Sequence, residues 1–405
     1  MCSLARTAAG VFMLTAVQPL ASQPVRVTRA EAVAAAVARG PRLAIARADS
    51  SAALAGVAVA RQFDNPVLGV QRTESAPQEH YSLDVPLDLP WLRRARIGAA
   101  TARLGAAAHR YAFEREAVAF DADTAYTRAL LIAARARLSM RSARDADSLL
   151  TLARLRRDAG DASELDVELA GVSAGQRANA AATDSLEATT ALLSLQALLG
   201  YASATPAIVL ADTLDAPAAS TPPAAGGLPL LLAAADADAR AAELALTLER
   251  RRLFGVPSLT IGYETRDPGG RGNARLPSVG LALPLPILNQ NRAAIQVATA
   301  QRDRAAATLA LARIEQATAL ARAQRSLVVA SARAVRSSRL VAAAERVAVL
   351  SLLAYQEGAA AMPAVLEAQR TARESLAQFL DDLAAARNAA GLVTLLSLAT
   401  NRSEP

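Results

Sequence analysis

Histidine is the side chain that most often does acid–base or metal chemistry near neutral pH, and the sequence has two, His80 and His109. His80 lies at the approach to a predicted strand and His109 within a predicted helix, so we expect them to be far apart in the fold. A zinc site needs three or four ligands from histidine, cysteine or carboxylate groups. We therefore expect both histidines to be surface or interface residues, and we predict no metal site.

Other patterns that carry chemistry are also missing from the sequence. It contains no lysine, which excludes a phosphate-binding loop ending in GK[ST]. The segment GGRG (269–272) falls in a predicted hairpin loop, and no βαβ unit surrounds it, so it is not a dinucleotide site. No arrangement of serine, histidine and aspartate suggests a nucleophile. We expect no catalytic residue, no cofactor and no enzymatic activity.

The composition indicates closely packed helices. The 405 residues are 53% hydrophobic but only 3% aromatic, and alanine is by far the most frequent apolar residue. A conventional core of this size would use more aromatic side chains as filler. Alanine has the highest helix propensity and lets helices approach closely.

The charge pattern gives no sign of a nucleic-acid partner. There are 44 basic and 37 acidic residues, a net charge of +7, and the arginines are interleaved with aspartate and glutamate along predicted helices. That pattern is typical of a solvated helix face. We find neither a basic patch nor a recognised nucleic-acid-binding module.

Residues 1–22 are predicted to be a signal peptide. Arg6 supplies a short positive region, residues 8–20 are apolar, and small residues follow at Ala21 and Ser22. The alternative, a buried first helix, is disfavoured by Pro19 and by the lack of amphipathic periodicity. The only cysteine, Cys2, precedes the apolar stretch and so is not placed as a lipoprotein acceptor. Beyond this segment no run of about 18 apolar residues predicts a membrane-spanning helix.

The chain is predicted to be an internal duplication, since three segments recur at an offset of about 191 to 198 residues. Each repeat is expected to contain a helix, a β-hairpin, a very long helix, a turn and a returning helix. A linker rich in proline, glycine and serine separates the repeats. The matching segments are NPVLGV (65–70) with VPSLTI (256–261), PWLRRARIGAATA (90–102) with PILNQNRAAIQVATA (286–300), and RRDAGDASELDVELA (156–170) with AYQEGAAAMPAVLEA (354–368).

We assign boundaries to these units as follows. The first repeat is 23–199, the linker or equatorial segment 200–227, the second repeat 228–398 and the tail 399–405. Within the first repeat we expect a hairpin at 65–90, a long helix at 92–157, a turn at 158–162 and a returning helix at 163–199. Within the second we expect these elements at 256–287, 292–357, 358–362 and 363–398.

The hairpin segments alternate strictly between apolar and small or polar residues. In 81–89 every odd position is apolar or aromatic, while the even positions are serine, aspartate and proline; 258–263 and 278–285 alternate in the same way. Period-two alternation predicts strands with two different faces. One interpretation is a half-buried sheet covered by a helix, and the other is a lipid-facing barrel wall with a polar lumen.

The long helices favour the second interpretation. About 65 residues at 1.5 Å each give a rod of roughly 100 Å, far too long to cover a short hairpin, so each rod must pack along similar rods. Both rods are expected to end at a glycine, Gly160 and Gly358, which is a natural helix stop. Pro363 suits the first turn of the second returning helix.

Four strands cannot close a membrane barrel, which needs at least eight. Three copies of the chain would supply twelve strands, and identical chains tend to form closed rings. We expect Pro90, Pro284 and Pro286 to mark the barrel strand ends, where the chain turns from the sheet into the rods. The predicted fold class is therefore mainly α with a small β part, a duplicated unit that as a trimer forms a twelve-stranded barrel on a long α-helical barrel.

The duplicated segments together resemble the TolC-like outer-membrane factors, the exit ducts of tripartite efflux pumps and type I secretion. The resemblance covers essentially the whole chain beyond the signal, and the branch serving cobalt–zinc–cadmium and copper–silver efflux looks most similar. It implies a homotrimer in the cell outer membrane that extends into the periplasm as a coiled-coil tunnel. It also implies a periplasmic adaptor and an inner-membrane pump of the resistance-nodulation-division type as partners, with outer-membrane lipid around the barrel.

The resemblance also implies roles for residues near the two glycine turns, which would form the periplasmic tip. Acidic residues after the turn face the pore in the family, and one aromatic residue helps to hold the tip closed. The chain departs from the pattern at Ala360 and Ala364, where some members have arginine and aspartate. The positions that match, or lie beside those that match, are Asp161, Glu164, Asp166, Tyr355 and Glu367.

We hypothesise that Asp166 and Glu367 line the tip and favour cations, as acidic rings do in cation-selective pores. The alternative is a solvated helix face. For the whole chain, the main alternative to a passive efflux duct is a periplasmic coiled-coil adaptor or structural spacer, which would need neither duplicated hairpins nor two helical hairpins. The substrate stays open among heavy-metal cations, drugs, solvents and secreted peptides.

Overall fold

The computed structural model describes residues 25–74, 78–216, 227–252, 255–265 and 276–400. The predicted signal peptide, the GGRG segment and part of the predicted linker lie outside these residues. The described elements are β1 (Val25–Val27), α1 (Arg29–Arg39), α2 (Pro41–Arg61), β2 (Val67–Arg72), β3 (Glu79–Pro86), α3 (Pro90–Asp158), α4 (Glu164–Leu198), β4 (Ile208–Leu210), α5 (Leu230–Arg251), β5 (Ser258–Thr265), β6 (Leu276–Ala282), α6 (Arg292–Gln356) and α7 (Met362–Ser397).

Two of these helices are rods of about 100 Å. α3 has 69 residues and α6 has 65. α3 begins at Pro90, whose ring suits the first helical position because no hydrogen bond is lost there. α6 begins after Asn291, which has a left-handed φ of 56°. The Asn291 side chain donates a 2.8 Å hydrogen bond to the carbonyl of Glu249 near the end of α5, so the start of this rod is tied to the preceding helix.

Each rod turns back at a glycine into a returning helix. Gly160 has φ 86° and Gly358 has φ 79°, a left-handed conformation that residues with a Cβ adopt at a cost. α4 follows the first turn and opens with a capping box between Ser163 and Asp166. α7 follows the second turn and has Pro363 in its first turn.

The two hairpins join into one antiparallel sheet with the order β2-β3-β5-β6. Tyr81 pairs with Tyr263, and Leu83 with Ile261, so the alternating faces of the two repeats are continuous. β2 and β6 are the edge strands of this sheet.

The paired strands stop earlier than the sequence predicts. β3 ends at Pro86 and β6 at Ala282. The prolines expected at the strand ends therefore lie beyond the last paired residues, and Pro90 belongs to α3. Apolar residues continue to alternate through residues 283–287, where the backbone is not paired with another strand. An alternating pattern shows which side of the chain is apolar, but it does not show whether the backbone has a pairing partner. Proline lacks the N–H that pairing needs.

The helices form a wall in which each packs beside the next. Near the sheet the order is α2, α3, α5, α6, and near the glycine turns it is α4, α3, α7, α6. The described buried apolar positions are mostly alanines. The composition predicted this close packing of helices.

A small second sheet was not predicted. β1 pairs in parallel with β4, which lies in the segment expected to be a linker. The fully buried Tyr126 in α3 donates a 2.8 Å hydrogen bond to the carbonyl of Val27 in β1. Arg29, the first residue of α1, contacts Asp123, and its guanidinium lies 2.8 Å from the Thr127 hydroxyl; both partners are on α3. These contacts fix the start of the described chain and the linker against the first rod.

Beyond the predicted signal peptide the sequence has no run of about 18 apolar residues, but one described helix passes a test of length and mean hydropathy. α2 is long and apolar enough to cross a membrane, judged by length and composition only. It packs against α3, and its Arg42 forms ion pairs with Glu114 and Asp121 of that helix.

Candidate functional site

The two glycine turns lie at the same end of the wall, where the ends of four helices share one apolar cluster. Tyr355 of α6, only 2% exposed, is its aromatic member. The other fully or nearly buried members come from α3, α4 and α7: Leu149, Ala153, Val167, Ala170, Met362 and Val365. The structure therefore places Tyr355 of the second repeat among side chains from the turn end of the first repeat.

Arg156 of α3 ties the first turn to the second. One guanidinium nitrogen donates to the backbone carbonyl of Tyr355, and another donates a 3.1 Å hydrogen bond to the carbonyl of Asp161. The same guanidinium lies 4.6 Å from the centre of the Tyr355 ring, within the range of a cation–π contact. The end of a helix carries partial negative charge on its last carbonyls, so a cation is favoured there.

The hydroxyl of Tyr355 is buried and has no hydrogen-bond partner within the part of the chain that the structure describes. Burial raises the pKa of this hydroxyl, and the carboxylate of Asp166 raises it further. Asp166 of the first repeat is therefore close enough to Tyr355 of the second repeat to affect its ionisation. Arg156, also of the first repeat, packs over the ring of Tyr355.

The predicted acidic residues lie in both repeats, after the glycine turns. Asp166 accepts a 3.3 Å hydrogen bond from the backbone N–H of Ser163 and so caps α4. Glu164 lies 3.3 Å from Arg157, and Glu367 on α7 lies 3.3 Å from Arg370. Both ion pairs are solvent-exposed, and exposed pairs of this kind contribute at most about 1 kcal/mol.

Sequence reasoning missed the arginines at this end of the wall. In the sequence, nothing distinguished three of them from other arginines that alternate with acidic residues on a solvated helix face: Arg156, Arg157 and Arg370. One signal was available: Arg156 lies four residues before Gly160, within the last turn of the helix, where a basic side chain can reach free carbonyls.

One face of the four-stranded sheet is apolar and uncovered. The pairing places side chains of all four strands on this face. At one end Tyr81 and Tyr263 stack with ring centres 4.9 Å apart. Exposed apolar members of the same face are Leu68, Val70, Leu83, Ile261, Val279 and Leu281.

The opposite face carries mainly polar or small residues. His80 lies 3.2 Å from Glu264 across the β3–β5 pair, and Thr260 donates to Asp84 in the same pair. A Cβ added to Gly262 would lie 2.6 Å from the carbonyl oxygen of Tyr81, so this position accepts only glycine without rearrangement.

The two histidines are not brought together. His80 lies in β3, and His109 lies in α3. Within the described ranges no group of three histidine, cysteine, aspartate or glutamate side chains is placed to hold a metal ion.

No protein-family model matches the chain. No curated protein matches its sequence. Solved structures do match its fold along nearly the whole length. A membrane protein from Pseudomonas aeruginosa is 21% identical with a TM-score of 0.75, and the match covers 93% of this chain and 94% of that one.

Two further structures give the same result. The outer membrane protein VceC from Vibrio cholerae is 18% identical with a TM-score of 0.74, over 91% of this chain and 95% of that one. The Campylobacter jejuni CmeC outer membrane channel is 14% identical with a TM-score of 0.76, over 93% and 87%. The chain, mostly helical with a small sheet, therefore has the fold of these three membrane proteins.

Proposed function

We propose that this chain is the outer-membrane channel of a tripartite efflux system, which conducts its substrate passively and catalyses no reaction. The observation that carries this proposal is a four-stranded sheet with an uncovered apolar face at one end of two rods of about 100 Å. Similarity in fold to outer-membrane channels supports it.

The apolar face suits a lipid environment. β3 and β5 have eight residues each, close to the roughly 9 to 11 residues of a tilted transmembrane strand. The stacked Tyr81 and Tyr263 would form part of an aromatic girdle of the kind that membrane barrels carry. Exposed Trp91 and Phe63 lie near the other end of the strands, so aromatic side chains bound the apolar band at both ends.

A sheet with two free edges is not stable in lipid, because unpaired backbone groups there have no water to bind. β2 and β6 are the edges of this sheet. We propose that β6 of one copy pairs with β2 of the next and that three copies close a twelve-stranded barrel. The face carrying His80, Asp84 and Glu264 would then line the lumen.

The turn end of the wall would be the periplasmic tip, which meets the adaptor and the inner-membrane pump. We propose that Asp166 and Glu367 give this end a preference for cations. Heavy-metal cations are one candidate cargo, on the sequence resemblance to that branch alone. Drugs, solvents and secreted peptides are others, because the pump would select the substrate. Residues 1–22 would direct export.

The second candidate, a periplasmic adaptor or spacer, is disfavoured by the sheet. A soluble spacer would expose the apolar face to water, and contiguous apolar patches of that kind are rare on soluble monomers. Density-gradient fractionation of the producing cell, followed by mass measurement of the detergent-extracted particle, tests the proposal. We expect a particle of three protein chains in the outer membrane, and a soluble monomer without detergent would contradict it.

A further inference from the structure

The helix ends at the base of the four-stranded sheet form a collar, in which hydrogen bonds hold the four ends at one level. Arg93 near the start of α3 donates a 2.9 Å hydrogen bond to the carbonyl of Arg61, the last residue of α2. Arg251, the last residue of α5, donates a 3.1 Å hydrogen bond to the carbonyl of Trp91 in α3. The start of α6 is tied to the end of α5 in the same way. The collar comprises residues 61–66, 87–96, 249–252 and 284–292.

The collar concentrates the positive charge of the chain. Its four segments contain eight arginines and three acidic residues, which is a net charge of +5, compared with +7 for the whole sequence. None of the segments has more than three arginines, so the sequence alone showed no basic patch. Only the fold brings the four segments together.

Several arginines of the collar have no acidic partner. Asp88, whose side chain is 7% exposed, forms ion pairs with Arg93 and Arg96, and Glu249 forms one with Arg252. Two of the three acidic residues are therefore already paired. Among the described residues, no carboxylate forms an ion pair with the five other arginines, all exposed: Arg61, Arg94, Arg250, Arg251 and Arg292.

Two of the unpaired arginines lie on the convex side of the helical wall. The concave side is a groove lined by α2, α3, α5 and α6, where Arg110 of α3 pairs with Asp238 of α5. Arg94 precedes Arg110 by 16 residues, about 160° around the helix, and Arg250 follows Asp238 by 12 residues, about 120°. Both therefore point away from the groove. In a closed ring of such walls the concave side is the lumen, so these arginines would face the surroundings.

Exposed apolar side chains lie beside the collar arginines. Trp91, the only tryptophan in the sequence, is 57% exposed. Phe63 is also exposed, and the guanidinium of Arg93 lies 4.2 Å from the centre of its ring. Aromatic residues and arginines with apolar stems favour the interface of a membrane, where one end of the side chain meets lipid and the other meets water. Exposed aliphatic members of the collar are Leu285, Ile287 and Leu288.

We infer that the convex side of the collar binds the headgroups of anionic glycerophospholipids, with Arg94 and Arg250 as the principal cationic contacts. The inference rests on the proposed channel, because the collar then lies at the level where the lipid-facing side of the sheet ends. A guanidinium group matches the geometry of a phosphate. An anionic headgroup neutralises an unpaired arginine, whereas a zwitterionic headgroup brings a cation of its own, so the collar should select anionic lipid.

Trp91 makes the inference testable in the intact protein. The detergent-extracted particle is reconstituted into mixed vesicles of phosphatidylglycerol and phosphatidylcholine, in which one lipid or the other carries brominated acyl chains. Quenching of Trp91 fluorescence then reports which lipid lies beside the collar. The test variant combines Arg94→Gln with Arg250→Gln.

A matched control removes the same two charges from a distant part of the wall. It combines Arg137→Gln with Arg325→Gln, at exposed positions that have no ion pair among the described residues. Both lie about 50 Å or more from the start of their rods. The control therefore separates the effect of the collar from that of net charge.

We expect phosphatidylglycerol to be enriched about tenfold over phosphatidylcholine beside Trp91 in the parent and the control, and about twofold or less in the test variant. Absence of enrichment in the parent, or equal enrichment in the test variant, would overturn the inference. A loss of the same size in the control would also overturn it, because net charge would then explain the result.

A salt comparison separates lipid headgroups from free phosphate as the ligand. The parent should keep the same enrichment in sodium phosphate as in sodium chloride of equal ionic strength. Loss of enrichment in phosphate alone would assign the arginines to the free ion and overturn the lipid site. Any of these negative results in a particle that gives current steps leaves the proposed channel intact. A protein that stays outside the vesicles would instead contradict the channel, and this inference with it.

Discussion

Arg156 on the first rod donates a hydrogen bond to the backbone carbonyl of Tyr355 on the second rod and covers the ring of that tyrosine. This one side chain joins the turn ends of both repeats, since it also binds the carbonyl of Asp161. The repeat counterpart of Arg156 is Ala354, so the second repeat has no equivalent side chain to offer at its own turn. The contact is therefore made once in each chain.

If the turn end is the proposed periplasmic tip, replacement of Arg156 by alanine is expected to loosen it. A hydrogen bond to a charged group contributes about 1.5–3 kcal/mol. Because this arginine is partly exposed, we expect the lower end of that range, which corresponds to roughly a tenfold increase in the ratio of open to closed channels. Single-channel recording should show a higher open probability for Arg156→Ala. Arg154→Ala, an exposed arginine on the same helix turn, is the control and should behave as the parent protein. Equal open probability in Arg156→Ala and the control would refute the role of this contact.

Neutralising the acids of the tip is expected to reduce cation preference. Asp166→Asn combined with Glu367→Gln removes two negative charges from each chain, while asparagine at 166 still accepts the capping hydrogen bond from Ser163. The reversal potential across a salt gradient should move toward zero. Glu187→Gln, an exposed position on α4 far from the turns, should leave it unchanged. A double variant with the parent reversal potential would show that these acids are a solvated surface only.

The close packing in the sheet predicts different effects of alanine at two glycines, Gly262 and Gly280. A Cβ at Gly262 would lie 2.6 Å from the Tyr81 carbonyl oxygen, whereas a Cβ at Gly280 would meet only the Thr260 Cβ, at 3.8 Å. Gly262→Ala should therefore lower the temperature at which the detergent-extracted particle dissociates, and Gly280→Ala should not. The backbone shift needed at Gly262 is expected to cost on the order of 1–3 kcal/mol. Equal dissociation temperatures for the two variants would contradict the strand register.

Alkaline pH should weaken the contact between the first rod and the small parallel sheet. Burial raises the pKa of Tyr126 to about 12 in the folded chain, from about 10 in the unfolded chain. Because the folded state favours the protonated hydroxyl, its stabilising contribution is complete below pH 10 and is lost as the pH rises from 10 through 12. Denaturant unfolding should show this loss in the parent protein and a flatter profile between pH 10 and 12 in Tyr126→Phe. Parallel profiles would contradict it.

Local patterns in the sequence were sufficient to predict the rods, the glycine turns and the two faces of the sheet. The predicted helix 92–157 lies within α3, and the predicted helix 292–357 matches α6 except for its last residue, because a long run without proline, rich in alanine, has few alternatives to a helix. Gly160 and Gly358 have the left-handed conformation that ends a helix, and strict alternation fixed which strand residues share a face.

Contacts between distant segments were not predictable in the same way. β1 and β4 have three residues each and are about 180 residues apart, so neither carries a periodic signal of its own. Arg156 was one of many arginines, and only the fold brings it to Tyr355. At the candidate tip the sequence therefore indicated the acidic residues and Tyr355, and only the structure showed that arginine side chains lie beside them.

Conductance of the purified, detergent-extracted protein in planar lipid bilayers tests the central claim most directly. The proposed channel predicts discrete current steps of one size, which increase in open probability with Arg156→Ala and disappear when the protein is left out. A protein that is incorporated into the bilayer as a folded particle and yet gives no current steps, in either the parent or the Arg156→Ala form, would contradict the claim that this chain forms a channel.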